Sequence, residues 1–216
     1  EHIENYPMSP RRYLALWMPH LSAERAFRAW APQGAAPRAV VAKAAGGIRL
    51  AGIARSGAQA GLRPGETLAD ARARVPALET LPLDAAADAA LLDRLAEGCE
   101  RWTPRVALDP PDGLILDIAG CDHLFGGEDG LRARVLGRFA RAGLTARAAI
   151  ADTPDAARAL ARHGRPEGGG PDGAIAPPGG TEAAVRPLPV AALDVPEEAR
   201  AVLLRAGLKT LGDLAD

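Results

Sequence analysis

The sequence predicts an α+β fold in which helices cover a mixed sheet, with a small insertion after the first strand and a short helical segment at the end. Three observations carry that prediction. Apolar residues recur with strand period in some segments and helix period in others, in the order strand, insertion, helix, strand, strand, helix, strand, helix. A Gly- and Pro-rich stretch, 165–188, reads as a flexible connection to a separate helical part, 189–216. The composition is that of a globular protein, with 48% apolar and 25% charged residues and no apolar run of the ~18 residues a membrane span requires.

The elements arise from local chemistry. Tyr13 to Met18 is an apolar run of strand length, cut off by Pro19, which cannot donate to a central ladder. Ser22 can cap a helix over Ala23 to Trp30, with Phe27 and Trp30 on one face. Ala39 to Lys43 and Ile48 to Ile53 flank Gly46-Gly47 and read as a hairpin. Two short helices come next, Arg55 to Ala60, stopped by Gly61, and Thr67 to Val75, where Thr67 and Asp70 form a capping box before Pro76. From Asp84, residues Leu91, Leu92, Leu95, Cys99 and Trp102 recur at helical spacing, which predicts a long amphipathic helix up to Thr103-Pro104. Val106 to Asp109 and Leu114 to Ile118 are strands joined by the turn Pro110-Pro111-Asp112-Gly113. After Gly126-Gly127 a helix places Leu131, Val135, Leu136 and Phe139 on one face. Thr145 to Ala151 is an apolar strand, and a helix runs from Thr153 to about His163. Val195 to Arg205 and Thr210 to Ala215 read as helices around Gly207-Leu208-Lys209. Residues 1–7 show no periodicity and precede Met8, which reads as the native start.

A formal net charge of −1 leaves no surplus of Lys and Arg for gripping nucleic acid, so phosphate binding requires the arginines to cluster on one face. Cys99 and Cys121 match no metal spacing and read as buried, reduced thiols of a cytosolic protein. His20 and His123 read as surface or capping residues.

The most distinctive segment is Asp112-Gly113-Leu114-Ile115-Leu116-Asp117-Ile118-Ala119-Gly120, which runs into Cys121-Asp122-His123-Leu124-Phe125-Gly126-Gly127. With this strand, and with Gly-Leu-Lys-Thr-Leu-Gly-Asp-Leu at 207–214, residues 11 to 216 resemble the Y-family (translesion) DNA polymerases. The resemblance implies a palm whose first strand lies in 8–21, a fingers-like subdomain at 22–82, the rest of the palm at 83–164, and a thumb-like segment at 189–216 after the 165–188 connection. The little-finger domain and the clamp-binding tail of family proteins have no counterpart in this chain.

By the same resemblance, the family's chemistry needs two divalent cations about 4 Å apart, held by three acids. One acid lies in the first strand, where this chain has Trp17, followed by Met18, Pro19 and His20, with no carboxylate before Glu24. The other two are an adjacent Asp-Glu pair, of which Asp112 keeps the aspartate while Gly113 stands for the glutamate. Tryptophan offers no oxygen to a hard cation, and Trp17 reads as a plug in the former site. Ser22 stands at the aromatic steric gate, Arg55 and Ala58 at the Tyr and Arg that hold the triphosphate, and Pro154 at the phosphate-binding lysine. Leu193-Asp194-Val195-Pro196-Glu197-Glu198 has no glycine where a Gly-x-Gly turn would expose amides to backbone phosphate, and its three acids should repel phosphate.

Leu62-Arg63-Pro64-Gly65-Glu66-Thr67-Leu68-Ala69-Asp70-Ala71 and Leu124-Phe125-Gly126-Gly127 look especially like the catalytically inactive members of the family found in a bacterial mutagenesis cassette. The resemblance implies a non-catalytic scaffold in DNA-damage-induced translesion synthesis, without metal or cofactor. It would link the sliding clamp, a RecA-like accessory protein and an error-prone replicative-type polymerase through regions outside this chain. Weak DNA binding, no membrane association, and a cytoplasmic, nucleoid-associated location complete the expectation. Two readings compete with it. One is an active nucleotidyl transferase with a metal site rearranged onto Asp109, Asp112 and Asp117, and the other a module that mainly binds DNA.

Overall fold

A computed structural model describes residues 11–28, 36–164 and 174–215. The first strand, β1 (Tyr13–Trp17), is followed by α1 (Leu21–Ala26). The hairpin β2 (Arg38–Ala44) and β3 (Gly47–Ile53) turns at Gly46 and Gly47, whose φ of 82° and 127° strain any residue with a Cβ. Next come α2 (Arg55–Gln59), α3 (Leu68–Arg74), β4 (Glu79–Pro82) and α4 (Ala85–Cys99). Thr67 and Asp84 cap α3 and α4 by accepting from the amides of Asp70 and Ala87. The strands β5 (Val106–Asp109) and β6 (Gly113–Asp117) lead through a 3-10 turn at Asp122–Phe125 to α5 (Gly127–Arg141). Then β7 (Arg147–Ala151) precedes α6 (Pro154–His163), which Thr153 caps and Pro154 opens at the position where its missing amide costs nothing. Three short helices finish the chain, α7 (Thr181–Val185), α8 (Glu197–Arg205) and α9 (Gly212–Ala215).

The main sheet has the order β5-β6-β1-β7 with antiparallel neighbours, and a parallel bridge from Ile150 to Ile175 makes its edge mixed. Alternation along the strands sends the two faces to different partners. Leu14, Leu16, Leu114, Leu116 and Ile150 pack on Leu91, Leu92 and Cys99 of α4 and on Leu131, Val135 and Phe139 of α5. The other face presents Ala15, Ala149 and Ala151, small residues that let α6 approach closely with Ala156, Ala157 and Leu160. A second sheet, β3-β2-β4, closes its own core around Ala39, Leu50, Ile53, Leu62, Ala71 and Leu78.

One buried cation ties the main sheet to α5 and to the segment after α6. Arg12 is 6% exposed. Its Nε and Nη2 donate to the Glu128 carboxylate at 2.6 and 2.8 Å, Nη1 donates to Asp152 Oδ1 at 2.7 Å, and Nη2 also reaches the Ala176 carbonyl at 2.5 Å.

The structure departs from the sequence reading in three places. α1 starts at Leu21 with no side-chain cap, so Ser22 sits in the first turn, because burial of Leu21 and Ala23 sets where the helix begins. Trp30, expected on the same helix face as Phe27, lies outside the described residues, as do residues 1–7. The sequence predicts no strand at 79–82, yet β4 pairs in parallel with β2; four residues ending in Pro82 show no period, and an edge strand tolerates the proline. Of the expected flexible connection, 165–173 lies outside the described residues, whereas 174–188 is tied down. Ile150 donates to the Ala174 carbonyl, Ala176 donates back to Ile150, and Leu188 is buried, so the glycines and prolines there shape turns around a docked segment.

Candidate functional site

Trp17 ends β1 directly opposite Gly113 of β6 on one side and Arg147 of β7 on the other. Its side chain lies on the α6 face of the sheet. The indole Nε1–H donates to Asp112 Oδ2 at 3.0 Å. Arg158 and Arg162 lie one turn apart on α6 and so point the same way, towards the β5–β6 turn. Arg162 Nη2 is 2.9 Å from Asp109 Oδ2, an aligned hydrogen bond, and 3.0 Å from Asp112 Oδ1, an ion contact without that alignment. Arg158 Nε stands 3.0 Å from Asp109 Oδ1, and its Nη1 donates to Asp194 at 3.1 Å. The guanidinium groups of Arg147 and Arg162 lie 5.7 and 5.8 Å from the Trp17 ring centroid, within cation–π range.

Sequence position and partial burial make this cluster cohesive. The side chains of Asp109, Asp112 and Arg162 are each less than a quarter exposed, so their attraction is screened less than that of surface pairs. Burial lowers the affinity of Arg158 for its proton, but hydrogen bonding to Asp194 and the charge of Asp109 more than offset it and hold the group above its ordinary value. Burial alone pulls Arg147 down. Asp194 belongs to the acid-rich 193–198 segment, and Glu197 of the same segment pairs with Arg200. Two of the three acids expected to repel phosphate are therefore matched by arginines.

A divalent cation asks for several oxygen ligands at once. Here the two nearest carboxylates already face a guanidinium, and an indole stands where a further oxygen would be needed, so these residues do not fit a two-metal centre. The rearranged site on Asp109, Asp112 and Asp117 is not assembled either. Asp117 lies at the far end of β6, opposite Tyr13 and about 13 Å along the strand from Gly113. It accepts from the Ala119 amide at 3.1 Å and meets Arg105 at 3.2 Å, which are turn-forming and surface contacts. Among the described residues, no group of three or more His, Cys, Asp and Glu could hold a metal ion.

Gly113 is required by packing. A Cβ built there would stand 2.6 Å from Asp109 Oδ2 and 2.9 Å from the Asp109 carbonyl oxygen. Gly113→Glu is therefore expected to lose about 1–3 kcal/mol through overpacking and to gain no metal affinity. Urea unfolding checks this, and an unchanged midpoint would contradict the clash.

The other expected positions scatter. Ser22 packs against Gly52 of β3, Ala58 is exposed on α2, and Pro154 opens α6. Arg55 joins Trp17, Pro19, His20, Arg132 and Arg147 around a groove of about 940 Å³ between α5 and the end of β1. His20 donates through Nδ1 to the Ile53 carbonyl at 2.7 Å, a structural role, and His123 is exposed in the 3-10 turn. Burial pushes the Cys99 thiol up to about 12. Sequence reasoning missed Arg147, Arg158 and Arg162; the four-residue spacing of the last two was a visible signal, but their target was not.

No protein-family model matches the chain. Protein ImuB of Caulobacter vibrioides, in strains NA1000/CB15N and CB15, is 52% identical over 154 residues, which is 71% of this chain and 32% of ImuB. DinB from Sulfolobus solfataricus superposes with a TM-score of 0.74 over 95% of this chain and 60% of its own, at 15% identity. A post-insertion binary complex of Dbh DNA polymerase gives 0.75 over 94% and 60%, also at 15% identity. The chain is similar to ImuB and has the fold of the Y-family polymerases. It spans about a third of the length of ImuB and three fifths of the two solved polymerases. The solved structures speak for the α+β polymerase fold, and the likeness to ImuB adds a relative in sequence. Among the described residues, no helix is long and apolar enough to cross a membrane.

Proposed function

We propose that the chain is part of a non-catalytic, polymerase-like scaffold acting in DNA-damage-induced translesion synthesis. The observation that carries the reading is the Arg162 guanidinium lying between Asp109 and Asp112, with the Trp17 indole on the second of them. A guanidinium supplies positive charge to two carboxylates as a cation would, but it carries no open coordination position and cannot polarise a phosphoryl oxygen or activate a primer hydroxyl. The fold then keeps its charge balance without divalent ions, which suits a protein that needs the shape of a polymerase and not its chemistry. The 52% identity to ImuB supports placing that shape in DNA-damage tolerance.

For the whole protein, the proposed partners are the sliding clamp, a RecA-like accessory protein and an error-prone replicative-type polymerase, contacted through regions outside this chain. The proposed location is the cytoplasm, with nucleoid association during DNA damage. The groove shared by Arg55, Arg132 and Arg147 supports weak, salt-sensitive contact with DNA, against a net charge of −1.

Primer extension on a primed template with Mg²⁺ or Mn²⁺ and all four deoxynucleotides tests the reading. The expected outcome is no template-dependent incorporation. Incorporation that disappears in Asp112→Ala would overturn the scaffold and restore an active transferase.

A further inference from the structure

We propose that the cleft between α4 and α5 is a docking site for a short acidic segment of a protein partner, anchored by one apolar side chain. The cleft lies on the helical face of the sheet opposite α6, away from the Asp112 cluster, so this inference and the proposed function stand or fall separately. Arg94 of α4 and Arg138 and Arg141 of α5 surround it, and Leu95 and Phe139 form an apolar floor. Gly98 keeps that floor open, since a Cβ there would already touch Arg138 Nη2 at 3.4 Å.

The arginines of the cleft carry charge that no carboxylate within 4 Å offsets among the described residues. Arg12, Arg25, Arg38, Arg158 and Arg162 each meet a carboxylate within 4 Å. Arg94, Arg138 and Arg141 form no ion pair among the described residues. Arg138 and Arg141 also sit favourably in the last turn of α5, near its negative dipole end, but Arg94 belongs to the middle of α4 and gains nothing from that end. Three guanidinium groups converging from two helices over an apolar floor match carboxylates flanking a hydrophobic side chain.

Size and surface chemistry favour a peptide over nucleic acid. The volume, about 240 Å³, is below the roughly 300–1,000 Å³ of small-molecule sites and suits one or two side chains. Single-stranded nucleic acid seeks exposed aromatic faces to stack on. Phe139, the aromatic residue of the lining, is 2% exposed and offers none.

A random peptide library panned on the chain tests this, with Arg138→Glu/Arg141→Glu and Gly98→Leu chains as comparators. Both comparators change exposed or half-buried positions, and circular dichroism verifies that they fold. The expected peptides combine Asp or Glu with Leu, Ile, Met or Phe. By fluorescence anisotropy their affinity should fall at least about tenfold on charge reversal, and fall also for Gly98→Leu, which fills the floor while keeping every arginine. Three results overturn the proposal: no enriched peptide class, equal binding to the charge-reversed chain, or an oligonucleotide that loses binding on charge reversal while acidic peptides bind neither chain.

Discussion

A chain carrying Trp17→Asp and Arg162→Ala is expected to melt at a higher temperature when Mn²⁺ is added, whereas the unsubstituted chain melts at the same temperature with or without it. In the native cluster, Asp109 and Asp112 share the Arg162 cation, and Asp112 also accepts from the Trp17 indole. Arg162→Ala alone leaves Asp109 with Arg158 and removes the cation beside the partly buried Asp112, a loss of about 1–3 kcal/mol. Adding Trp17→Asp brings a third carboxylate opposite Gly113 and removes the ring that Arg147 and Arg162 cover. Arg158 alone then faces three clustered acids, whose remaining repulsion a divalent cation relieves, and an ion binding only the folded state stabilises it by roughly 2.7 kcal/mol at a hundred times its Kd. Differential scanning fluorimetry reads the difference without any assay of activity. Stabilisation of the unsubstituted chain by Mn²⁺ would sink the idea that Arg162 stands in for a metal.

The features legible in the sequence were local. The Gly46-Gly47 hairpin, the Thr67 cap and the strand pair around Pro110-Pro111 are each written in a few adjacent residues, and each is found where periodicity and turn chemistry put it. Ser22 looked like a cap because helix starts favour serine, but a buried Leu21 overrode that preference. β4 escaped because its support is the parallel partner β2, far away in sequence. The same limit governs the candidate site. Trp17, Asp112 and Gly113 could be singled out from one strand and one turn. That Asp109 and Asp112 are held by arginines of α6 depends on sheet order and on the alanines that let α6 lie close, and no window of sequence contains both. Asp117 shows the converse: five positions from Asp112 and on the same segment, it points to different work because a strand carries it to the other end of the sheet.

Arg12→Ala is expected to be the most destabilising single substitution among the charged residues of the chain's ion pairs. The side chain is nearly inaccessible and satisfies Glu128 with a two-pronged contact, Asp152 with another, and the Ala176 carbonyl with a third. Its removal takes the two-pronged partner from Glu128 at the start of α5, leaves Asp152 with the Thr181 hydroxyl and the Gly179 amide, and frees the Ala176 carbonyl. Breaking a buried pair in this way costs about 3–5 kcal/mol, which for a chain of this size lowers Tm by roughly 6–20 °C. Arg12→Lys keeps the charge but loses the planar fork, so it should recover only part of the loss. The effect also has a pH signature. Hydrogen bonding from the Thr181 hydroxyl, and then from Arg12, holds the Asp152 carboxyl below its ordinary value. A carboxylate depressed in the folded state stabilises above its unfolded value, and that contribution disappears as pH falls through the folded one. The native chain should therefore lose stability on acidification below about pH 4, and the Arg12→Ala chain should lose less over the same range, since part of the depression is already gone. Thermal melts from pH 7 to pH 3 give both numbers. Identical melting temperatures for the two chains at neutral pH would mean that Arg12 does not fasten the 174–188 segment to the sheet.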